Sequence, residues 1–310
     1  MSTAAARQAS TTPTPQKAAG LRGVLRYHVS MADYCSWRAG GAARSFYEPA
    51  DVADLGLFLA RLPPDEPLLF IGLGSNLLVR DGGFAGTVIQ MRALPDVLTR
   101  EGERGVHAGA GVTLSKLARL SAREGLAGAE FLGGIPGTVG GALAMNAGAH
   151  GSETWPLVRA VETIDRQGVI RLRPASDFQV GYRSVQRPHG ECFVAAHFEF
   201  TAGDPAALQQ RLKELIARRN ASQPTTQASC GSVFRNPPGD YAGRLIEQAG
   251  LKGRRSGGAQ ISDKHANFIV TERGAIAADI EALIQQAQSA VAERFGVQLH
   301  PEAIIVGEAA

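Results

Sequence analysis

Residues 133–153, GGIPGTVGGALAMNAGAHGSE, constrain this chain more than any other stretch. Seven of the twenty-one are glycine, and Glu153 is the only permanently charged acid or base among them. The segment has too little bulk to build a core and too little charge to cover a solvated face. Glycine is needed where the backbone turns left-handed or where something approaches the main chain closely. The stretch therefore reads as a backbone surface against which another group lies. A second small-residue turn, GLGSN at residues 72–76, sits between two apolar, strand-like runs and invites the same reading.

Two nucleotide-binding signatures can be tested on these turns. A P-loop needs GxxxxGK[ST], and neither turn places the lysine. A dinucleotide fingerprint needs GxGxxG; GLGSNL fails at Leu77 and GAGVTL at Leu114. What remains is the physics those motifs share, uncovered N–H groups that converge into an anion-binding nest. Ser75 and Asn76 add a hydroxyl and an amide as further donors. A ligand with a diphosphate along both loops follows, and GGALAMNAGA suits a flat aromatic ring resting on backbone.

The rest of the 310-residue chain reads as α+β. Residues 1–22, rich in Ala, Ser, Thr, Pro and Gln, read as a disordered tail with no signal-peptide core. Leu55, Phe58, Leu59 and Leu62 share a helical face that Pro63 and Pro64 end. A strand then leads into a helix with Thr113 as N-cap and Gly125 just past its end. A hairpin is expected around Gln167 and Gly168, and DPAALQQRLKELIARRN is an amphipathic helix. We expect units at 23–92, 93–203 and 204–310, with a boundary just before that helix. A net charge of +3 from scattered Lys and Arg argues against nucleic acid. No apolar run spans a membrane. Three cysteines without CxxC spacing suggest a reducing compartment and no legible metal site. A cytoplasmic protein with no obligate protein partner is the expectation.

Eight ordered blocks then carry a resemblance: SWRAGG, GLGSNLLVRDGGFAG, GGIPGTVGGALAMNAGAHG, GYR, GSVFRNP, AGRLIEQAGLKG, GGAQISDKHANFIV and HPEAIIVGE. They span about residues 25 to 308 and closely resemble the UDP-N-acetylenolpyruvoylglucosamine reductase family. The resemblance implies two α+β FAD-binding subdomains of the vanillyl-alcohol-oxidase type and a C-terminal α/β substrate domain. It implies that NADPH reduces FAD, which then passes hydride to the enolpyruvyl carbon of UDP-N-acetylglucosamine enolpyruvate. FAD would lie against Gly72, Leu73, Gly74, Ser75 and Asn76, and against Gly133, Gly134, Ile135, Pro136, Gly137, Gly140 and Gly141. Asn146 and Gly148 would approach the ribityl chain or ring.

By the same resemblance Ser232 is the proton donor, Arg183 faces the substrate carboxylate, and Glu302 supports the developing negative charge. Tyr182, Arg235 and Asn236 fall at substrate contacts, and His265 is either a contact or structural. Arg235 stands where the family usually has lysine, and Val185 where members often carry serine. The short run after Arg183 lacks the tyrosine-bearing closing loop of longer members, which marks a shorter subtype. Two other readings are another FAD-dependent oxidase of the same fold and a nucleotide-binding regulatory module without catalysis. The GSVFRNP and HPEAIIVGE blocks speak against the first, and the joint presence of Ser232, Arg183 and Glu302 against the second.

Overall fold

The computed structural model of the chain describes residues 20–310. Most of the expected tail lies outside these residues, but Leu21 is already packed in a core. Arg22 and Gly23 donate their backbone N–H groups to the Asp54 carboxylate at 2.7 and 3.0 Å.

The first unit is a sheet of β1 (Val24–Ser30), β2 (Ala42–Glu48), β3 (Leu68–Ile71) and β5 (Phe84–Gln90), with β4 (Leu77–Val79) set apart from it. The order is β1-β2-β5-β3; β1 and β2 are antiparallel, and β5 runs parallel to both β2 and β3. The helix predicted from Leu55 and Phe58 is α1 (Val52–Leu59), capped by Asp51, which accepts from Asp54 N at 2.9 Å. Asp54 is fully buried. Burial pushes its carboxyl up, yet Tyr47 Oη at 2.6 Å and the N–H groups of Arg22, Gly23 and Ala50 hold it below the usual range. Its contribution to stability is therefore present above the unfolded-state pKa near ~4 and lost as pH falls through the lower folded value. Asp54→Asn is expected to cost about 3 kcal/mol, because it leaves buried donors facing an amide. It should also flatten the acid limb of a melting-temperature profile, and an unchanged limb would show that Asp54 is not what titrates there.

The second unit is an antiparallel sheet of β6 (Leu98–Glu101), β7 (Gly105–Gly109), β8 (Val158–Ile164), β9 (Ile170–Pro174) and β12 (Cys192–Glu199), ordered β9-β8-β12-β7-β6. The turn at Gly168, φ +78°, joins β8 to β9 as the hairpin signal required. Helices α2 (Leu114–Arg123) and α3 (Val139–Met145) pack on one face. Thr113 occupies the N-cap of α2, but its hydroxyl lies 3.3 Å from Ser115 Oγ and caps no backbone N–H. A short hairpin of β10 (Gln179–Gly181) and β11 (Ser184–Gln186) projects from this unit.

Helix α4 (Pro205–Ser222) departs from expectation. Leu212 and Leu215 enter the core shared with α2 and the second sheet, so by packing the helix belongs there and not with the C-terminal unit. Its periodicity reveals an apolar stripe but not which core receives it.

The C-terminal core joins α5 (Ala242–Gln248), the strands β13 (Arg255–Ser256), β14 (Ala259–Ile261) and β15 (Ile269–Thr271), and α6 (Ala277–Phe295). Among its ties to the first unit, two position the site. Trp37 is buried in the C-terminal core and donates Nε1–H to Ile269 O at 2.7 Å. The last strand, β16 (Ile304–Val306), pairs in parallel with β4. That second seam carries Glu302 to the glycine loops.

Candidate active site

A cavity of about 280 Å³ opens where the three units meet. Gly72, Leu73, Gly74, Ser75 and Asn76 line it, as do Gly134, Ile135, Pro136, Gly137, Gly141 and Gly148. Arg183, Ser232 and Glu302 lie on its wall as well. A more polar cavity of about 590 Å³, bordered by Ser36, Arg38 and residues 225–229, shares Pro136, Arg219, Gly231 and Phe268 with it. The two cavities lie side by side, with those residues between them.

The glycines of residues 133–153 divide by what a Cβ would meet. At Gly133 it would strike Leu212 Cδ1 at 2.3 Å, at Gly140 Ala110 Cβ at 2.9 Å, and at Gly148 Ser152 O at 2.4 Å. Gly151 is left-handed at φ +82°. Gly133 and Gly140, expected against a cofactor, do not line the cavity; they let α4 and the loop after β7 approach. At Gly134, Gly137 and Gly141 the nearest protein atom would stand 3.6 Å or more away, and none of the three has positive φ. No neighbour in the protein requires glycine there. A Cβ at these positions would instead take up cavity space, which fits a flat cofactor lying against backbone. Among the described residues, the N–H groups of Leu73, Gly74, Ser75, Asn76, Gly137 and Thr138 donate to no other protein group. These are the amides an anion nest needs.

The expected side-chain donors are used differently. Ser75 Oγ donates to Pro136 O at 2.7 Å and Asn76 Nδ2 to Glu302 O at 3.0 Å. They tie the two glycine loops and the Glu302 segment together. Asn146 is fully buried at left-handed φ +47°, outside the cavity lining. Its amide donates to Glu153 at 2.8 Å and Gly181 O at 3.2 Å, and its carbonyl receives Arg183 Nη1 at 3.3 Å. Asn146 therefore anchors the arginine hairpin instead of touching the cavity.

Arg183 sits in the β10–β11 turn at φ +52°, a left-handed strain of about 1 kcal/mol for a residue with a Cβ. Three contacts hold it: Nε to Glu302 Oε1 at 2.9 Å, Nη2 to Gly148 O at 2.7 Å, and the Asn146 carbonyl. Burial pushes the Glu302 carboxyl up, and Arg183 and Arg235 draw it only partly back. Ser232 is set beside it by its neighbours. Val233 N donates to Asn267 O at 2.9 Å, Asn267 Oδ1 receives Phe234 N at 3.0 Å, and Val233 O receives Glu302 N at 2.7 Å.

Tyr182, Arg235 and Asn236 do not line the cavity. Tyr182 is exposed, with the Arg183 guanidinium 5.2 Å from its ring centre. Asn236 Oδ1 receives Ala242 N at 3.1 Å, at the start of α5. Arg235 Nε is buried without a hydrogen-bond partner among the described residues, an orphan that suits an incoming anion. His265 lies outside the cavity lining, its Nδ1 accepting from Asn267 N at 3.2 Å. Cys35, Cys192 and Cys230 are free and buried, and burial pushes the first two thiols up to about 12.

Sequence reasoning missed Arg219, Gln223, Thr138, Phe268 and Asn267. Arg219 lines both cavities; burial lowers its pKa, and its Nε donates to Gln223 Oε1 at 3.0 Å. The amphipathic pattern of its helix carries no local signal that marks Arg219 as turned inward.

Two glycine loops against a cleft, closed by a C-terminal unit bearing Glu302 and Ser232, define an FAD-binding oxidoreductase with an appended substrate domain. Profile matches agree: residues 45–173 match the FAD binding domain, and residues 223–306 the UDP-N-acetylenolpyruvoylglucosamine reductase C-terminal domain. The UDP-N-acetylenolpyruvoylglucosamine reductase of Alkalilimnicola ehrlichii is 61% identical over 287 residues, covering 93% of this chain and 96% of that protein. That of Methylococcus capsulatus is 55% identical over 292 residues, covering 94% and 96%. The crystal structure of the Thermus caldophilus reductase superposes with a TM-score of 0.77 at 33% identity, covering 91% of this chain and 99% of that one. This chain belongs to the UDP-N-acetylenolpyruvoylglucosamine reductase family.

Proposed function

We propose that the chain reduces UDP-N-acetylglucosamine enolpyruvate to UDP-N-acetylmuramate in the cytoplasm, a step of peptidoglycan precursor synthesis. The observation that carries this reading is the convergence of Arg183, Ser232 and Glu302 on a cavity whose opposite wall is glycine backbone. Bound FAD, reduced by NADPH, supplies the hydride. Leu73 to Asn76, Gly137 and Thr138 would hold that cofactor through bare amides, and Gly134 and Gly141 would give it side-chain-free surface.

Negative charge then builds at the carbon beside the substrate carboxylate. Arg183 meets it with a planar fork that stays cationic at working pH. A carboxylate that takes over the Arg183 fork also removes the partner that draws the Glu302 proton off. With that pull removed, burial favours the protonated form of Glu302, which can donate a hydrogen bond to the enediolate oxygen. Ser232 delivers its hydroxyl proton to the carbanionic carbon, a base strong enough to take it. The orphaned Arg235 Nε offers a contact for the substrate's phosphates or carboxylate.

The deciding experiment is NADPH oxidation by the purified, FAD-loaded protein with and without the enolpyruvyl substrate. Oxidation that depends on substrate and yields the lactyl ether supports the reading. A flavoprotein that is bleached by NADPH but ignores the enolpyruvyl compound would leave another oxidoreductase of the same fold. Among the described residues no helix is long and apolar enough to cross a membrane.

A further inference from the structure

The five-stranded sheet of the second unit has two unlike faces. Val106, Ala108, Val161, Ala196 and Phe198 point into the core. The alternating positions of β7 and β12 turn the other way and bring out His107 and His197, which face each other directly across the ladder. Their rings stack with centroids 4.7 Å apart. From β8, on the far side of β12, Glu162 reaches both. Its Oε1 lies 3.0 Å from His107 Nε2 and 3.2 Å from His197 Nε2. From β6, Glu101 meets the second nitrogen of His197, Nδ1 to Oε2 at 2.9 Å. Only Arg159, 3.7 Å from Glu101, brings a further charge to within ion-pair distance of this group among the described residues. None of the four lines either cavity.

Neutral side chains do not satisfy these contacts. A neutral imidazole has one N–H and one lone pair, yet His197 faces carboxylate oxygens with both nitrogens. With Nδ1–H donated to Glu101, the Nε2 lone pair points toward the same Glu162 oxygen that His107 approaches. Three electron-rich atoms from three adjacent strands, all within 4.8 Å of one another, then surround one point. Tetrahedral zinc with ligands at 2.0–2.1 Å places neighbouring donor atoms roughly 3.3 Å apart, close to the two spacings seen here. Glu101 behind His197 is the outer carboxylate that fixes the orientation and tautomer of a metal-bound imidazole. Two imidazoles and one carboxylate suit zinc and its borderline neighbours, whereas magnesium and calcium prefer oxygen alone.

We propose that His107, Glu162 and His197 form a divalent-cation site of the zinc type, with the fourth position left to water. It braces β7, β12 and β8 on the sheet face away from the flavin cavity. The site is separate from the chemistry above, so the enzyme turns over with or without the ion.

The test is calorimetric titration of chelator-treated, FAD-loaded enzyme with zinc chloride. The expected result is uptake of one equivalent and a zinc-dependent rise in melting temperature. Glu101→Gln should weaken binding roughly tenfold or more, and His107→Ala and His197→Ala should weaken it further and abolish the zinc-dependent stabilisation. Retained flavin absorbance and NADPH oxidation verify that each variant is folded. Failure of the wild-type holoenzyme to take up stoichiometric zinc overturns the proposal whatever the variants do. So does undiminished uptake by His107→Ala, since the ion would then sit elsewhere. A lack of uptake would mean that a proton, not a metal, reconciles His197 with its two carboxylates.

Discussion

Ser232→Ala leaves reduction of the bound flavin by NADPH at its wild-type rate and slows reoxidation by the enolpyruvyl substrate by about 10²- to 10⁴-fold, the usual contribution of a positioned proton donor. The first half-reaction needs only the cofactor and NADPH, and neither requires a proton from this hydroxyl. The second leaves a carbanion that alanine cannot quench. The backbone around residue 232 is held independently of its side chain, by Val233 N on Asn267 O and Glu302 N on Val233 O, so alanine should not move the loop. Anaerobic stopped-flow at the flavin's visible band separates the halves. Wild-type reoxidation in the variant would remove Ser232 from the mechanism. Equal damage to both halves would indicate a disturbed cavity instead.

Two adjacent glycines give the second large effect, with opposite signs. At Gly141 an added Cβ meets nothing nearer than 3.7 Å and points into the cavity from within α3. Gly141→Ala is therefore expected to raise the stability of the cofactor-free protein by up to about 1 kcal/mol through helix propensity. It should weaken FAD binding by about ten- to 100-fold, the cost of overpacking a fitted surface. At Gly140 the same methyl group meets Ala110 Cβ at 2.9 Å and destabilises the fold, with or without flavin. Melting curves of the apo- and holoproteins, with FAD titrated by fluorescence quenching, measure both. Wild-type flavin affinity in Gly141→Ala would mean that the cofactor does not rest on that wall.

Much of the fold was legible because its signals are local. The α1 stripe at Leu55, Phe58 and Leu59, the hairpin turn at Gly168 and the turn between β3 and β4 are read from neighbours along the chain. The destination of α4 was not legible. Nothing within DPAALQQRLKELIARRN reveals that Leu212 must fill the space left by Gly133, far earlier in the chain. The same limit hid Arg219, whose helix turns it into the cleft, and the His107, Glu162 and His197 cluster, whose members only strand pairing unites.

By itself the sequence determined the chemistry available: a glycine-bare backbone for a flavin, a serine, an arginine and a glutamate in recognisable surroundings, and an α+β chain to carry them. It could not determine which glycines face the ligand and which face the protein. Nor could it bring Arg183 to within 2.9 Å of Glu302, or tie the Asn76 side chain to the Glu302 carbonyl and Asn146 to the arginine hairpin. Those outcomes belong to the tertiary structure. The contacts that settle them join residues distant in sequence, and the orientation of each side chain is fixed only when β16 pairs with β4 and the three units close on one another.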